Sequence, residues 1–191
     1  MDPTLTYRSM AYNNAWANHR LLNACALLSQ DEFIEPRTGF FGSIRATLNH
    51  NLIIDRFYVD AMQGGTLGPS AWSDPEPCDT ARVLQLEQSK VDRRLIAIVE
   101  DAEPSDLRRI VEIHREDRLQ REHLDRLLLH LFQHQIHHRG QAHSMMSGTR
   151  VAPPQLDEFF AAEEAHLREK EFAELGWTEA QVWRHKDSSG A

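Results

Sequence analysis

Two histidines, His134 and His138, stand four residues apart where a helical pattern calls for apolar side chains. The pattern advances in steps of three and four residues and consists of Leu124, Leu127, Leu131, His134, His138, Gln141 and Met145. Side chains at i and i+4 lie one turn apart on the same face of a helix. Burying two imidazoles without a shared partner is costly, so the spacing predicts that both bind one metal ion.

A third ligand is expected from another helix. His50 interrupts a second apolar stripe, formed by Ala46, His50, Ile54, Phe57 and Ala61. Asp55, on the same segment, is an alternative ligand or an acceptor for an imidazole N–H. Three protein ligands leave a coordination position open, as catalytic metal sites do. Nitrogen ligands suit zinc, nickel, copper or iron better than magnesium or calcium.

Four other histidines in or next to this helical segment are weaker candidates. His130 and His137 also form helical pairs with His134, but at about 100° per residue they lie at the edge of the face. His143 points to the opposite side, and His123 is too far along the helix to share an ion with His138. The sequence therefore favours His50, His134 and His138 as the ligands.

Further residues could surround such a site. Gln141 continues the inward face, where it would either orient a metal-bound water or make a core hydrogen bond. Asn14 fills the one polar position of the first helical stripe and is a candidate for the open side of the site. Trp16 is better explained by packing, and Arg139, off the metal face, by a salt bridge or helix contact.

Four segments with helical periodicity must position these residues. The first carries a stripe from Met10 to Leu28 and ends at Asp31 or at the Glu35-Pro36 step. The second begins after a Ser43 cap and ends at Gly64. The third begins after Asp79 or Thr80, and the fourth spans about residues 122–147. This pattern predicts an all-α fold, a four-helix bundle with metal ligands on facing helices.

The connections add two features to the bundle. Residues 107–119, between the third and fourth helices, predict a long crossover with a short hairpin or irregular structure. Pro153-Pro154 separates a small helical C-terminal extension, about residues 152–185, in which Trp177 and Trp183 would pack on the bundle or on a partner. We expect one domain over residues 1–191, with the bundle core at about 4–148.

Composition excludes several classes of protein. The chain has 191 residues, 41% of them hydrophobic, and a net charge of −8. An acidic chain lacks the electrostatic attraction on which nucleic-acid binding depends. No apolar run approaches the ~20 residues needed to span a membrane. Two cysteines are too few for a disulfide framework, and the N-terminus lacks signal-peptide features, so we expect a cytoplasmic protein.

The motifs resemble those of the DinB family. The resemblance is carried by FFGSIRATLNH (residues 40–50) and HLFQHQIHHRGQAHSMMSG (residues 130–148). It is supported by YNNAWANHRLL (residues 12–22) and LDEFF (residues 156–160). It implies a metal-binding four-helix bundle with its ligands at His50, His134 and His138. It also implies nickel or zinc as the metal, a homodimer, and for some members a low-molecular-weight thiol as cosubstrate.

Two functions remain open at this point. The first is a metal-dependent enzyme in which the ion activates a thiol or a water, giving a thiol transferase or a hydrolase. Gln135 follows His134 where an H-E-x-x-H hydrolase would carry its glutamate base, which favours thiol transfer. The alternative is a non-catalytic metal-binding stress-response module. A polar cavity at the open metal position would favour the enzyme.

Overall fold

The computed structural model describes residues 2–184 and is mostly helical. Its four long helices are α1 (Thr4–Cys25), α3 (Ile44–Met62), α4 (Ala81–Asp101) and α5 (Leu124–Met146), and a short helix, α2 (Gln30–Ile34), follows α1. The four helical segments expected from periodicity are therefore present. The C-terminal residues 185–191, which include the end of the expected extension, lie outside the described residues.

Side-chain caps explain where several helices begin. The Ser43 hydroxyl accepts a hydrogen bond from the Ala46 amide at 3.0 Å, and the Thr80 hydroxyl accepts one from the Val83 amide at 3.3 Å. Both caps were predicted, with Thr80 rather than Asp79 capping α4. The predicted end of the first helix was wrong. It ends at Cys25, because Ser29 and the Glu32 side chain form a capping box that starts α2.

The crossover between α4 and α5 contains an antiparallel hairpin. Strands β1 (Ile110–His114) and β2 (Leu119–His123) pair with Ile113 opposite Gln120. Val111 and Ile113 are buried, as the alternating pattern requires. The fold is therefore not purely α-helical. Helix α5 starts at Leu124, two residues later than predicted, because residues 122 and 123 belong to β2.

The four long helices enclose the main apolar core. Helix α1 packs against α4 and α5, and α3 packs against the same two helices. This core includes Leu21, Leu52, Leu84, Leu95, Leu128 and Leu131. Among residues 2–184, no helix combines the length and apolar character needed to cross a membrane.

The C-terminal extension folds back on α1. It contains α6 (Glu169–Leu175) and α7 (Glu179–Trp183). A second apolar cluster joins it to α1 and contains Tyr12, Trp16, Ala17, Phe159, Phe172 and Val182. Trp177 packs edge-to-face on Tyr12 at 4.9 Å, and Trp183 lies 5.8 Å from Phe159. Both tryptophans thus pack within the chain. Of the two expectations, packing on the bundle or on a partner, this agrees with the first.

Candidate metal site

Three histidines from two helices meet at one point between α3 and α5. One ring nitrogen from each of His50, His134 and His138 lies within 4.8 Å of the other two. The Nε2 atoms of His50 and His134 are 3.0 Å apart. We call these three residues the histidine cluster. It forms because α3 packs on α5 with His50 facing the i,i+4 pair.

Burial keeps the histidine cluster neutral. His50 and His134 are half-buried, and His138 is only 9% exposed. Burial, followed by the neighbouring imidazole of His138, lowers the pKa of His50 to about 4. Burial and then the neighbouring imidazoles, that of His138 first, lower the pKa of His134 to about 3, and burial lowers that of His138. Each neutral ring therefore offers one lone-pair nitrogen at neutral pH, and the Nε2 atoms of His50 and His134 face each other.

Gln141 sets the orientation of one ring. Its Oε1 accepts a hydrogen bond from Nδ1 of His138 at 2.8 Å. An amide oxygen only accepts, so His138 carries its proton on Nδ1 and keeps the Nε2 lone pair for the cluster. The amide nitrogen of Gln141 donates to Nε2 of His137 at 3.2 Å. Gln141 therefore holds one ring of the cluster in place, and its expected role beside a metal ion stays a prediction.

The other histidines have partners outside the cluster. Tyr58 Oη lies 3.3 Å from Nε2 of His130. Nε2 of His143 donates to the Pro154 carbonyl at 2.8 Å, and Nδ1 of His123 donates to the Arg108 carbonyl at 2.7 Å. With His137 bonded to Gln141, each of these four rings makes a contact that does not involve the cluster. This arrangement agrees with the order of preference drawn from helical spacing.

Phe41 covers part of the histidine cluster and was missed by sequence reasoning. Its ring stacks on His50 with centroids 4.2 Å apart and lies 5.3 Å from the His138 ring. The adjacent Phe40 packs edge-to-face on Phe41 and is 84% exposed. Both belong to the loop of residues 35–43, directly before α3. The aromatic pair before the Ser43 cap was the signal that could have found them.

Asn14 and Asp55 make their hydrogen bonds in a different place. Asn14 Nδ2 donates to Asp92 Oδ1 at 3.3 Å, and Asp55 Oδ2 accepts from Gln88 Nε2 at 2.6 Å. These contacts belong to a network that we call the buried polar layer. Its members are Asn14, Asn18, Asp55, Gln88, Asp92, Gln135 and Arg139. Trp16 is fully buried and packs on Phe159 at 5.6 Å, as its packing role predicted.

The donor set of the cluster fits a divalent transition metal. Zinc–imidazole bonds of about 2.0–2.1 Å in a tetrahedral site place ligand nitrogens roughly 3.3 Å apart. The 3.0 Å separation of the His50 and His134 nitrogens is close to that spacing. Two neutral rings at this distance can share one proton in a hydrogen bond, whereas a cation would satisfy both lone pairs. Residues His50, His134 and His138 therefore have the chemistry to hold such an ion.

Comparison with known proteins identifies the family. The chain resembles a DinB-like protein from Bacillus cereus ATCC 10987, with 16% identity, a TM-score of 0.59, and coverage of 75% of this chain and 91% of that one. It also resembles a DinB-like protein from Bacillus subtilis, with 17% identity, a TM-score of 0.54, and coverage of 79% and 97%. These likenesses concern the fold. No curated protein matches the sequence. The DinB family model matches residues 1–174, and the chain belongs to the DinB family.

Proposed function

We propose that this protein binds one divalent transition metal ion, nickel or zinc, through His50, His134 and His138. The close approach of three neutral ring nitrogens, two of them 3.0 Å apart, is the observation that carries the proposal. The proposal includes the four-helix bundle expected from the sequence: α1, α3, α4 and α5 pack around one core, and the ligands lie on α3 and α5.

We further propose that the protein is a metal-dependent enzyme and that its nucleophile comes from a bound small molecule. When present, the ion would lower the pKa of a bound thiol or water and make it a nucleophile at neutral pH. The chain's own thiols are poor candidates. Burial raises the pKa of Cys25 to about 12 and also raises the pKa of Cys78. Both cysteines are buried, so a low-molecular-weight thiol is the better source of sulfur.

Thiol transfer ranks ahead of hydrolysis because of Gln135. Its side chain is fully buried, and its Nε2 donates to the Asn51 carbonyl at 3.2 Å. An amide at this position cannot take a proton from water as the glutamate of an H-E-x-x-H hydrolase does. The residues next to the cluster have other roles. Gln141 fixes the His138 ring, and Phe41 keeps water from one side of His50.

A second function, a non-catalytic metal-binding module, is favoured by one observation. Phe41 packs on the rings of both His50 and His138, so part of the approach to the ligands is covered. In this alternative the ion would mainly tie α3 to α5. The two functions differ in whether small thiols reach a bound ion.

Metal analysis of purified variants tests metal binding. We expect about one nickel or zinc ion per chain in the unmodified protein, and less than about a tenth of that after alanine replacement of His50, His134 or His138. His143→Ala is the matched control, because that histidine lies on α5 and bonds to the Pro154 carbonyl. Equal metal content in His134→Ala and His143→Ala would contradict the proposed ligands.

Activity assays then separate the two functions. Metal-loaded protein is supplied with cellular thiols and electrophilic acceptors, and in parallel with ester and amide substrates. Thiol transfer that is lost in His134→Ala would support the transferase. Metal-dependent ester or amide hydrolysis that ignores thiols would support a hydrolase. A metal-loaded protein inactive in every assay would favour the non-catalytic module.

The proposal also includes a homodimer, a cytoplasmic location and the absence of a nucleic-acid partner. The last rests on the net charge of −8, which opposes binding to phosphates. Light scattering at several concentrations tests the dimer, for which a mass of 22.0 kDa throughout would be the contradicting result. A salt-sensitive mobility shift of duplex DNA would contradict the third expectation.

A further inference from the structure

Helix α5 carries two i,i+4 pairs that differ by one residue. The pair His134 and His138 belongs to the histidine cluster, and the pair Gln135 and Arg139 belongs to the buried polar layer. Neighbouring residues of a helix differ by a rotation of about 100° around its axis and a rise of about 1.5 Å along it. Because a helix is stiff, the position of one pair determines the position of the other.

The second pair is held by two other helices. Arg139 Nη1 donates to the Oδ1 atoms of Asn14 and Asn18 on α1, the latter at 3.0 Å, and lies 3.4 Å from Gln135 Oε1. Gln135 Nε2 donates to the Asn51 carbonyl on α3. Arg139 is 4% exposed and Gln135 is fully buried, so these bonds form away from water. They fix α5 both in rotation and along its axis.

The remaining members of the layer extend the attachment to α4. Asn18 Nδ2 donates to Asp92 Oδ1 at 3.0 Å and to Oδ2 at 3.2 Å. Gln88 Nε2 joins the two carboxylates, at 2.6 Å to Asp55 Oδ2 and 3.1 Å to Asp92 Oδ1. The network thus contains side chains from all four long helices. A slide of α5 by one turn, about 5.4 Å, would break both bonds that Arg139 makes to α1.

Stability alone is a weak explanation for such a layer. A buried ionic network is often no more stabilising than apolar side chains of similar volume, because removing charges from water is costly. Apolar side chains specify the register of a helix against its neighbours poorly, because they pack acceptably in several registers. Buried polar groups are known to fix register in helical assemblies. The layer is therefore better explained by the register that it imposes on α5.

We propose that Gln135 and Arg139 are positioning residues for the metal ligands: by fixing the register of α5 against α1, α3 and α4, they place His134 and His138 opposite His50. This inference deepens the proposed metal site and rests on it. It predicts that altering the layer changes the geometry of the histidine cluster although no histidine is replaced. A merely structural layer would lower stability and leave that geometry intact.

The experiment compares three variants of the full chain. Arg139→Met removes the guanidinium. The double variant Asp92→Asn with Arg139→Met removes both charges and keeps the protein measurable if the single variant fails to fold. Leu128→Ala is the control, since Leu128 is a fully buried residue of α5 outside the layer. Its cavity lowers stability without touching the hydrogen bonds of the layer.

Two readouts are measured on each variant. The first is nitrogen-15 NMR of the histidine rings in metal-free protein, which reports the tautomer and surroundings of each ring. The second is the affinity for Zn²⁺ by competition with a chelator. We expect the ring signals of His134 and His138 to shift in the double variant while those of His143 stay, and the affinity to fall at least about tenfold. Leu128→Ala should leave the ring signals of His134 and His138 unshifted. Its affinity for Zn²⁺ should stay within about threefold of that of the original protein.

The outcomes separate this inference from the proposed function. Unshifted His134 and His138 signals with unchanged affinity in the double variant would overturn the positioning role. An equal loss of Zn²⁺ affinity in Leu128→Ala would overturn it too, because the loss would then not depend on the buried polar layer. If the unmodified protein binds no Zn²⁺ or Ni²⁺, the proposed function fails. The ring signals of the metal-free variants still decide whether the layer sets the geometry of the cluster.

Discussion

The histidine cluster and the buried polar layer are two sets of polar groups in one helical core, and they satisfy those groups in opposite ways. In the layer, a guanidinium, two carboxyl groups and four amides bond to one another across four helices. In the cluster, three neutral imidazoles turn ring nitrogens toward a common point. Polar groups that satisfy one another hold the fold, whereas groups of one kind that face each other call for a partner from outside.

Burial also shifts the pKa values of the two sets in opposite directions. It lowers the pKa values of the histidines and raises those of the aspartates, to about 8 for Asp55 and about 6 for Asp92. In both cases burial favours the neutral form. In the layer the Arg139 guanidinium opposes this effect of burial, because its charge lowers the pKa values of both carboxyl groups. The histidine cluster contains no such interaction between opposite charges, because its rings are neutral.

The largest difference between the two sets should appear when the cation of the buried polar layer is removed. Arg139→Ala leaves Asp92 buried beside donors but without its counter-charge, so we expect a loss of about 3–5 kcal/mol in the free energy of unfolding. Urea denaturation of the metal-free protein measures it. Arg118→Ala, at an exposed ion pair with Asp117, is the control and should cost no more than about 1 kcal/mol. Similar losses for both would mean that the layer contributes no specific pairing.

The next effect concerns the cluster. A metal ion bound only to the folded protein stabilises it by about 2.7 kcal/mol when its free concentration is 100 times the dissociation constant. We expect this gain from nickel or zinc in thermal unfolding, and we expect it to vanish in His50→Ala. His130→Ala should keep it, because that ring contacts Tyr58 instead. A full gain in His50→Ala would show that the ion binds elsewhere.

Gln141 gives a smaller effect. Replacing it with leucine frees Nδ1 of His138, and loss of such a supporting hydrogen bond commonly weakens metal affinity by about 10- to 100-fold. Chelator competition measures the change. Gln133→Leu is the matched control, since Gln133 is an exposed glutamine of the same helix. Equal affinities in the two variants would show that Gln141 does not support the ligand.

The last effect is the pH dependence that Asp55 imposes. The folded protein holds a proton on Asp55 up to about pH 8, whereas the unfolded chain releases it near its ordinary pKa of 3.8. Folding therefore binds a proton between these values, and stability falls as pH rises through this window. We expect Asp55→Asn to remove that decline. Unfolding of both proteins in urea at about pH 5 and pH 8 measures it, and parallel changes in the two would contradict the prediction.

Much of the architecture follows from local sequence. The caps Ser43 and Thr80 start their helices as predicted, because a hydroxyl and an amide three residues apart suffice for a cap. The meeting of His134 and His138 on one face follows from helical periodicity, and His50 was the one histidine that interrupted an opposed stripe. That these three bind a metal stays a prediction, as do the single domain and the dimer.

What the sequence could not supply depends on contacts between distant segments. Arg139 was expected to make a salt bridge or helix contact, but its partner Asn14 lies 125 residues away and on another helix. Periodicity assigned Asn14 to an inward position without saying which helix it would meet. Phe41 belongs to a loop, where no periodic pattern operates. The end of α1 was misplaced because one amphipathic pattern continued across the break before α2.

The fold-back of the extension has a practical consequence for anyone who wants to shorten the protein. Residues 1–148 contain all three histidines and the whole layer, so they look sufficient. Tyr12 and Trp16, however, owe their burial to Phe159, Phe172 and Trp177 in the extension. A chain ending at residue 148 would expose an aromatic face on α1, and such faces promote aggregation. The segment that contributes nothing to the cluster thus decides whether a trimmed version can be handled in solution.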